Sequence, residues 1–267
     1  MLRSMYSGIS GMKNFQVKLD VIGNNIANVN TYGFKKGRTT FKDLVSQQIA
    51  GASAPTTGAG ARGGVNPKQV GLGSQMATID TVHTQGSLQT TGRPLDLGIS
   101  GDGFFKLMSG TEVTYSRAGN FYLDKTGQIV NGDGKFLLGT GNAKLTIPTD
   151  AKSFSVGADG TVSYINNAGV LTTAGQIELA KFPNNEGLEK AGNNEYRSST
   201  NSGAELPSVP GGAGGAGTLV AGALEMSNVD LSEEFTEMIV AQRGFQANTR
   251  IITTSDEILQ ELVNLKR

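Results

Sequence analysis

Apolar residues recur at helical spacing at both ends of the chain and at strand spacing between them. Near the C-terminal end Met238, Phe245, Ile252 and Leu259 fall seven residues apart, and Ile251, Ile258 and Leu265 form a second row beside them. Rows spaced this way line one side of a helix and make a seam for another helix. Leu231 and Phe235 open the stripe and Leu262 extends it, while Asp230 and Glu233 give a start resembling a capping box. Lys266 and Arg267 place positive charge at the negative end of the helix dipole. Gly244 is the one weak point, worth about 1 kcal/mol relative to Ala. Gln242, Asn248, Thr249 and Ser255 fall near the seam, where polar residues lower stability and can fix register.

The first thirty residues carry a matching stripe. Leu2, Met5, Ile9, Met12, Gln16, Leu19, Gly23 and Ile26 alternate spacings of three and four, the pattern of a coiled-coil seam. An amphipathic helix packed on its own domain gives the same periodicity. Placement favours pairing: two stripes at the two ends can dock on each other or on the ends of neighbouring copies.

Between the ends the period changes to two. Leu95, Leu97 and Ile99 alternate, followed by Phe105 and Leu107, Val113 and Tyr115, and Phe121 and Leu123. Asn131-Gly132-Asp133-Gly134 separates Ile129 and Val130 from Phe136 and Leu138. Phe154 and Val156 face Val162 and Tyr164 across Ala158-Asp159-Gly160, a hairpin signal, and Ile177, Leu179 and Lys181 add another strand. Two stretches interrupt the periodicity. Residues 45–73, with Pro55 and Pro67, and residues 193–217, with Pro207 and Pro210, are rich in Gly and polar residues and are expected to be connectors. The expected fold class is α+β, with long N- and C-terminal helices around a mainly antiparallel β domain. The expected domains are 1–44 for the first helix and following segment, 45–73 for a connector, 74–222 for the β domain with its 193–217 tail, and 223–267 for the second helix, which pairs with the first.

Composition narrows the function. Formal net charge is zero and 17% of residues are charged, so no electrostatic footprint for nucleic acid is present. No segment approaches the ~20 apolar residues that span a bilayer, so membrane insertion is not expected. The N-terminus lacks the continuous apolar core of a cleaved secretory signal, so export, if it occurs, is expected to use an uncleaved address. The chain has no Cys and one His, which excludes a disulfide framework and leaves little for zinc. Gly58, Gly60 and Gly63 match the spacing of a dinucleotide-binding loop, but no strand precedes them and no helix follows. His83 sits in Thr81-Val82-His83-Thr84 and is expected to be a surface or strand histidine, not a general base. Repeated Asp-Gly pairs lack the spacing and glutamate of a calcium loop and read as turns. No catalytic, cofactor-binding or metal-binding residue is expected.

The first helix should end near Asn24-Asn25-Ile26-Ala27-Asn28-Val29-Asn30-Thr31. This octapeptide resembles the signature of the bacterial flagellar axial proteins, which build the rod, the hook and the hook–filament junction. Its core is Asn25, Ile26, Ala27, Asn28, Asn30 and Thr31. The stretch from Leu2 to Gly11 is similar to the same family, as are Gly33-Phe34-Lys35, Ser227-Asn228-Val229-Asp230 and the run from Met238 to Arg243. The span from Gly71 to Phe105 and the run from Tyr115 to Phe121 are similar to its rod and hook members. Within the family the hook members are the first expectation, on Leu19 to Asn25 and the ending from Leu262 to Arg267. The distal rod members are the alternative, kept open by the 45–73 segment. Membership implies a self-assembling tubular polymer, contacts with rod, hook-cap and hook–filament junction proteins, and passage through the flagellar export apparatus. It implies a role in transmitting torque and no cofactor. An extracellular binding module and a β-rich enzyme are the readings from other classes, and neither explains long seams at both ends.

Overall fold

The computed structural model describes residues 2–56, 62–212 and 214–265, Leu2 through its backbone alone. The chain divides into two compact units. A helical unit holds Met1–Ile26, Gly37–Asp80 and Leu231–Arg267, and a β unit holds Ala27–Lys36 and Thr81–Asp230.

The helical unit is built on α1 (Leu2–Ala27) and α2 (Leu231–Asn264). Both follow the heptad-like stripes, and α2 begins one residue after Asp230. Between them in sequence lie β1 (Gly37–Asp43), β2 (Gln47–Ala50), β3 (Lys68–Val70) and β4 (Ser74–Thr81). β1 pairs with β4, and β2 pairs antiparallel with β3. The 45–73 stretch, expected as an extended or flexible connector, carries a hairpin, extended by a bridge between Ser53 and Val65. Every residue of β2 and β3 is exposed. A strand with no buried face has no apolar alternation to reveal it. Gly58 and Gly60 lie outside the described residues.

The β unit runs through β5 (Leu88–Thr90), β6 (Leu97–Ser100), β7 (Phe104–Ser109), β8 (Glu112–Ser116), β9 (Tyr122–Leu123), β10 (Ile129–Val130) and β11 (Phe136–Leu137). It continues with β12 (Ser153–Val156), β13 (Thr161–Ile165), β14 (Leu171–Gln176), β15 (Leu179–Lys181), β16 (Glu189–Gly192) and β17 (Glu195–Arg197). β18 (Leu206–Ser208), β19 (Thr218–Ala221) and β20 (Ala223–Glu225) complete it. The largest sheet runs β16-β17-β8-β7-β11-β10-β9, with β15 also on β7 and β18 on β15. β12-β13-β14 form a second sheet, and β6 with β19 and β5 with β20 make two further pairs. The pairings within the unit are antiparallel among the described residues. The α+β class is thus the observed one. The hairpin register also follows the sequence pattern, with Phe154 opposite Tyr164 and Val156 opposite Val162.

Strand β7 divides the interior. Phe105 and Leu107 join the main core with Leu97, Ile99, Phe121, Ile177 and others, while Phe104 enters a second cluster with Tyr115, Phe182 and Tyr196. Period-two alternation marks one buried face; here both faces are buried, so Phe104 and Lys106 escaped the sequence pattern. Lys106 is buried because its amine reaches Asn142 Oδ1 at 2.7 Å, Glu205 Oε1 at 3.0 Å and Glu178 Oε1 at 3.2 Å. Leu123 departs from expectation: it is exposed, and Phe121 alone of that pair is buried. The 193–217 tail, expected as a connector, contributes β17 and β18 and buries Glu195, Tyr196, Ser202 and Ser208.

Candidate assembly surface

The two terminal helices pair antiparallel. Lys18 Nζ lies 3.0 Å from Glu237 Oε2, Asn25 Nδ2 donates to Glu234 Oε2 at 3.2 Å, and Thr249 Oγ1 donates to Met12 Sδ at 3.3 Å. Gly11 and Gly244 leave no room for a side chain between the helices, and Gly8 lies at ordinary contact distance. A Cβ at Gly8 would lie 3.6 Å from Ile252 Cγ1, one at Gly11 2.8 Å from Asn248 Nδ2, and one at Gly244 2.6 Å from Cζ of Phe15. Gly244 is therefore the seat of an aromatic ring. Its cost in helix propensity is offset by a contact that Ala would obstruct.

The seam of α2 comprises Glu234, Met238, Ala241, Phe245, Asn248, Ile252, Ser255 and Leu259, all buried or half-buried. The row Met238, Phe245, Ile252 and Leu259 lies within it, and on α1 Met5, Ile9, Met12, Leu19 and Ile26 are half-buried as well. Leu231, Phe235 and Leu262, placed in the same seam by sequence, are instead exposed. The reason is angular: at about 100° per residue they fall on the flanks of α2, off the face that meets α1. The second row, Ile251, Ile258 and Leu265, is also exposed. The side chain of Leu2 lies outside the described residues.

The signature octapeptide closes α1 and turns the chain. Within the helical unit the carboxamide of Asn25 pairs with the peptide of Gly37 in both directions, Nδ2 donating to the carbonyl and Oδ1 accepting from the amide, each at 2.9 Å. A side chain that imitates a strand neighbour in this way fixes where the chain returns. In the β unit Thr31 donates from its amide to Asn28 O at 3.1 Å and from Oγ1 to Asn28 Oδ1 at 3.0 Å. Ala27 and Asn30 are exposed. Gly33 follows with φ of 67°, and a Cβ there would lie 2.6 Å from the backbone of Arg117 and Ala118. Only glycine fits both the conformation and the space.

Beyond Gly33 the β unit holds a charged cluster with no access to solvent. Lys35 Nζ meets Glu225 Oε1 at 2.6 Å and Thr84 O at 2.8 Å, and both charged side chains are 0% exposed. The same Oε1 accepts the Gly86 amide at 2.9 Å, and Arg117 Nη1 stands 3.4 Å from Glu225 Oε2. Arg117 Nη2 donates to Gly101 O at 2.6 Å. Burial pushes the Lys35 amine below its ordinary value, the Arg117 charge adds to that, and the Glu225 carboxylate opposes it. Asn228 completes the knot: Oδ1 accepts the Lys36 amide at 2.8 Å and Nδ2 donates to Val82 O at 2.8 Å. Lys35 was marked in the sequence only as part of Gly33-Phe34-Lys35, and Glu225 was not marked at all. The one available signal was at Glu225, a charge set between Leu224 and Met226.

His83 lies beside this cluster, half-buried and outside any strand. Its ring packs against Phe104 and Tyr196 with centroids 5.7 and 5.5 Å away, and both ring nitrogens are buried without a hydrogen-bond partner. Burial first, then the charges of Lys35, Arg117 and Lys190, hold its pKa down at about 4. It touches no hydroxyl that it could activate. Among the described residues no three His, Cys, Asp or Glu side chains gather as a metal site would need, and no helix is long and apolar enough to cross a membrane.

Three family models match the chain in order. Residues 5–35 match the flagella basal body rod protein model, 98–164 the flagellar hook protein FlgE/F/G D1 domain, and 220–265 the C-terminal region of flagellar basal body rod FlgEFG proteins. The chain is 62% identical over 268 residues to the flagellar basal-body rod protein FlgG of Bacillus subtilis (strain 168), covering 100% of both chains. It is 38% identical over 272 residues to the rod protein FlgG of Borreliella burgdorferi (strain ATCC 35210 / DSM 4680 / CIP 102532 / B31), again with full coverage of both. It is 32% identical to the flagellar hook protein FlgE of the same organism, but that alignment runs over 445 positions. The hook relative thus carries long segments with no counterpart in a chain of 267 residues. From both helices, the signature turn and the D1 region, the chain belongs to the flagellar rod and hook family of axial structural proteins, located in the basal body and hook of the bacterial flagellum.

Proposed function

We propose that the chain is the distal rod subunit of the flagellar basal body, a stiff drive shaft, and not the hook subunit first expected from its sequence. One observation carries this reading: similarity to rod proteins is collinear from end to end, whereas similarity to hook proteins is spread over 445 and 467 aligned positions. The hook expectation rested on Leu19 to Asn25 and on the last six residues, which sit in terminal segments that rod and hook relatives share.

The geometry fits a subunit that polymerises through its helices. The α1–α2 pair provides a rigid core element, and its outer flanks expose Leu231, Phe235, Ile239, Ile251, Ile258 and Leu262. Burying such side chains between copies contributes ~1.5–3 kcal/mol each. The earlier seam assignment divides accordingly. Met5, Ile9, Met12, Leu19, Ile26, Met238, Phe245, Ile252 and Leu259 hold the pair together, and Leu231, Phe235 and Leu262 face neighbouring copies. Passage through the flagellar export apparatus and contacts with neighbouring rod and hook components belong to the same reading.

Electron microscopy of polymer formed from this chain tests it. Straight tubes, together with recovery of the chain from basal bodies stripped of hooks, are expected. Curved tubes, or recovery along the hook, would return the assignment to the hook.

A further inference from the structure

Three segments of the β unit, residues 33–36, 82–86 and 225–228, lie beside points where the chain enters or leaves that unit. Residues 82–87 belong to no helix or strand. Side chains of the other two segments hold them. Lys35 Nζ donates to Thr84 O, Glu225 Oε1 accepts the Gly86 amide, and Asn228 Nδ2 donates to Val82 O. Two backbone bonds add to these, from Val82 N to Lys36 O and from Met226 N to Ser87 O, each at 2.9 Å.

His83 sits in the middle of this lattice, its ring against Phe104 of β7 and Tyr196 of β17. The charges that bear on the ring are cations from three elements: Lys35, Arg117 after β8 and Lys190 of β16. Glu225 is already shared by Lys35, Gly86 and Arg117, and Asp102 acts on Lys35 and Arg117. Both ring nitrogens are buried without a hydrogen-bond partner. An imidazolium carries two N–H donors. In this seat it would offer them to no acceptor, under three like charges.

We infer that His83 is the pin of an acid-released latch: on protonation the ring leaves its seat and residues 82–86 detach from Lys35, Glu225 and Asn228, while β7 and the main core stay folded. An expelled ring binds its proton near the ordinary 6.5, the seated ring only near 4. Each pH unit between these values favours the open form by up to about tenfold, which amounts to about 100-fold from pH 7 to pH 4. Detachment is local because the ties it breaks belong to no strand pair. The latch works in a single copy and does not depend on the rod assignment.

Amide hydrogen exchange of the full-length chain between pH 7 and pH 4, read residue by residue by NMR and divided by the intrinsic rate at each pH, tests the latch. Protection of the Val82 and Gly86 amides should fall about 100-fold and stay well below that of Phe105 and Leu107 in β7. In His83→Phe it should not fall with pH. The chain has one histidine, so its imidazole signal is unambiguous. Protonation should coincide with loss of the ring-current shift from Phe104 and Tyr196. Should His83→Phe fail to fold, Lys190→Gln removes one of the three cations at an exposed position and should shrink the fall. Four results would overturn the latch: protection at Val82 and Gly86 that ignores pH, protection there equal to that in β7, an undiminished fall in the variant used, or an imidazole that protonates with its ring-current shift intact.

Discussion

In the β unit Lys35, Lys106, Arg117, Glu178 and Glu225 lie inside; in the helical unit Phe235, Ile239, Ile258 and Leu262 lie outside. Each arrangement reverses the usual partition, and for opposite reasons. A charge withdrawn from water must be matched by protein groups, and the β unit supplies them within one chain: Glu225 for Lys35, Glu178 and Glu205 for Lys106. Apolar surface left in water has no such match in the helical unit, and another molecule must provide it. The buried charges of the first unit are matched within a single copy. On the function proposed above, the apolar flanks of the second are matched only in an assembly, and that contrast separates a folding problem from an association problem.

Substitutions in each unit test the contrast. The largest effect is expected at Glu225. Glu225→Ala strands Lys35 and Arg117 without their carboxylate and should cost about 3–5 kcal/mol. Chemical denaturation of the β-unit transition would measure it, and a loss under 1 kcal/mol would mean that the cluster is not a closed ionic lock.

The next effect is conditional on pH. His83 binds its proton near pH 4 in the folded chain and near pH 6.5 when unfolded, so between these values the unfolded state holds more protons. The contribution of neutral His83 is complete above pH 6.5 and is lost as pH falls toward 4, to a total of about 3 kcal/mol. Melting temperatures at pH 7 and pH 4.5 should diverge for the native chain and draw together for His83→Phe. Parallel curves would show that the imidazole is not held neutral.

A smaller change tests the helix contact. Gly244→Ala gains about 1 kcal/mol of helix propensity yet places a methyl against the Phe15 ring. Net destabilisation of 1–2 kcal/mol is expected, about the cost of overpacking. Combination with Phe15→Leu should restore the loss; stabilisation by Gly244→Ala alone would show that the helices do not approach so closely.

The smallest effect on the isolated chain carries the most meaning for assembly. Phe235→Asp should alter monomer stability by less than about 0.5 kcal/mol, as exposed positions do, and should abolish incorporation into the rod. Sedimentation of basal bodies reads the second part. Normal incorporation would remove the flank around Phe235 from the assembly surface.

The elements legible in the sequence were those whose packing repeats. Both helices were, because a face that meets another helix recurs every three to four residues. So was the 153–165 hairpin, where Phe154, Val156, Val162 and Tyr164 alternate about an Asp-Gly turn. The strands at 47–50 and 68–70 were not, since they bury nothing. The helix stripe gave the axis but not the split between its faces: Phe235 and Met238 are equally apolar in sequence, yet about 60° of rotation separates them. The ionic cluster was invisible for another reason. Lys35 and Glu225 are 190 residues apart, and no local spacing relates them. Gly244 looked like a weakness because its value lies in the neighbouring helix, where it seats the Phe15 ring.

That separation of 190 residues between Lys35 and Glu225 also governs time. The cluster draws on residues 33 to 36, 83 to 86, 101, 117 and 225, so its last member arrives only when most of the chain is present. Contacts this distant in sequence form slowly, because a long loop must close before they return any free energy. A partial chain that lacks residue 225 holds Lys35 without the carboxylate that neutralises it in the folded unit. Closure of the cluster therefore requires a chain that reaches residue 225.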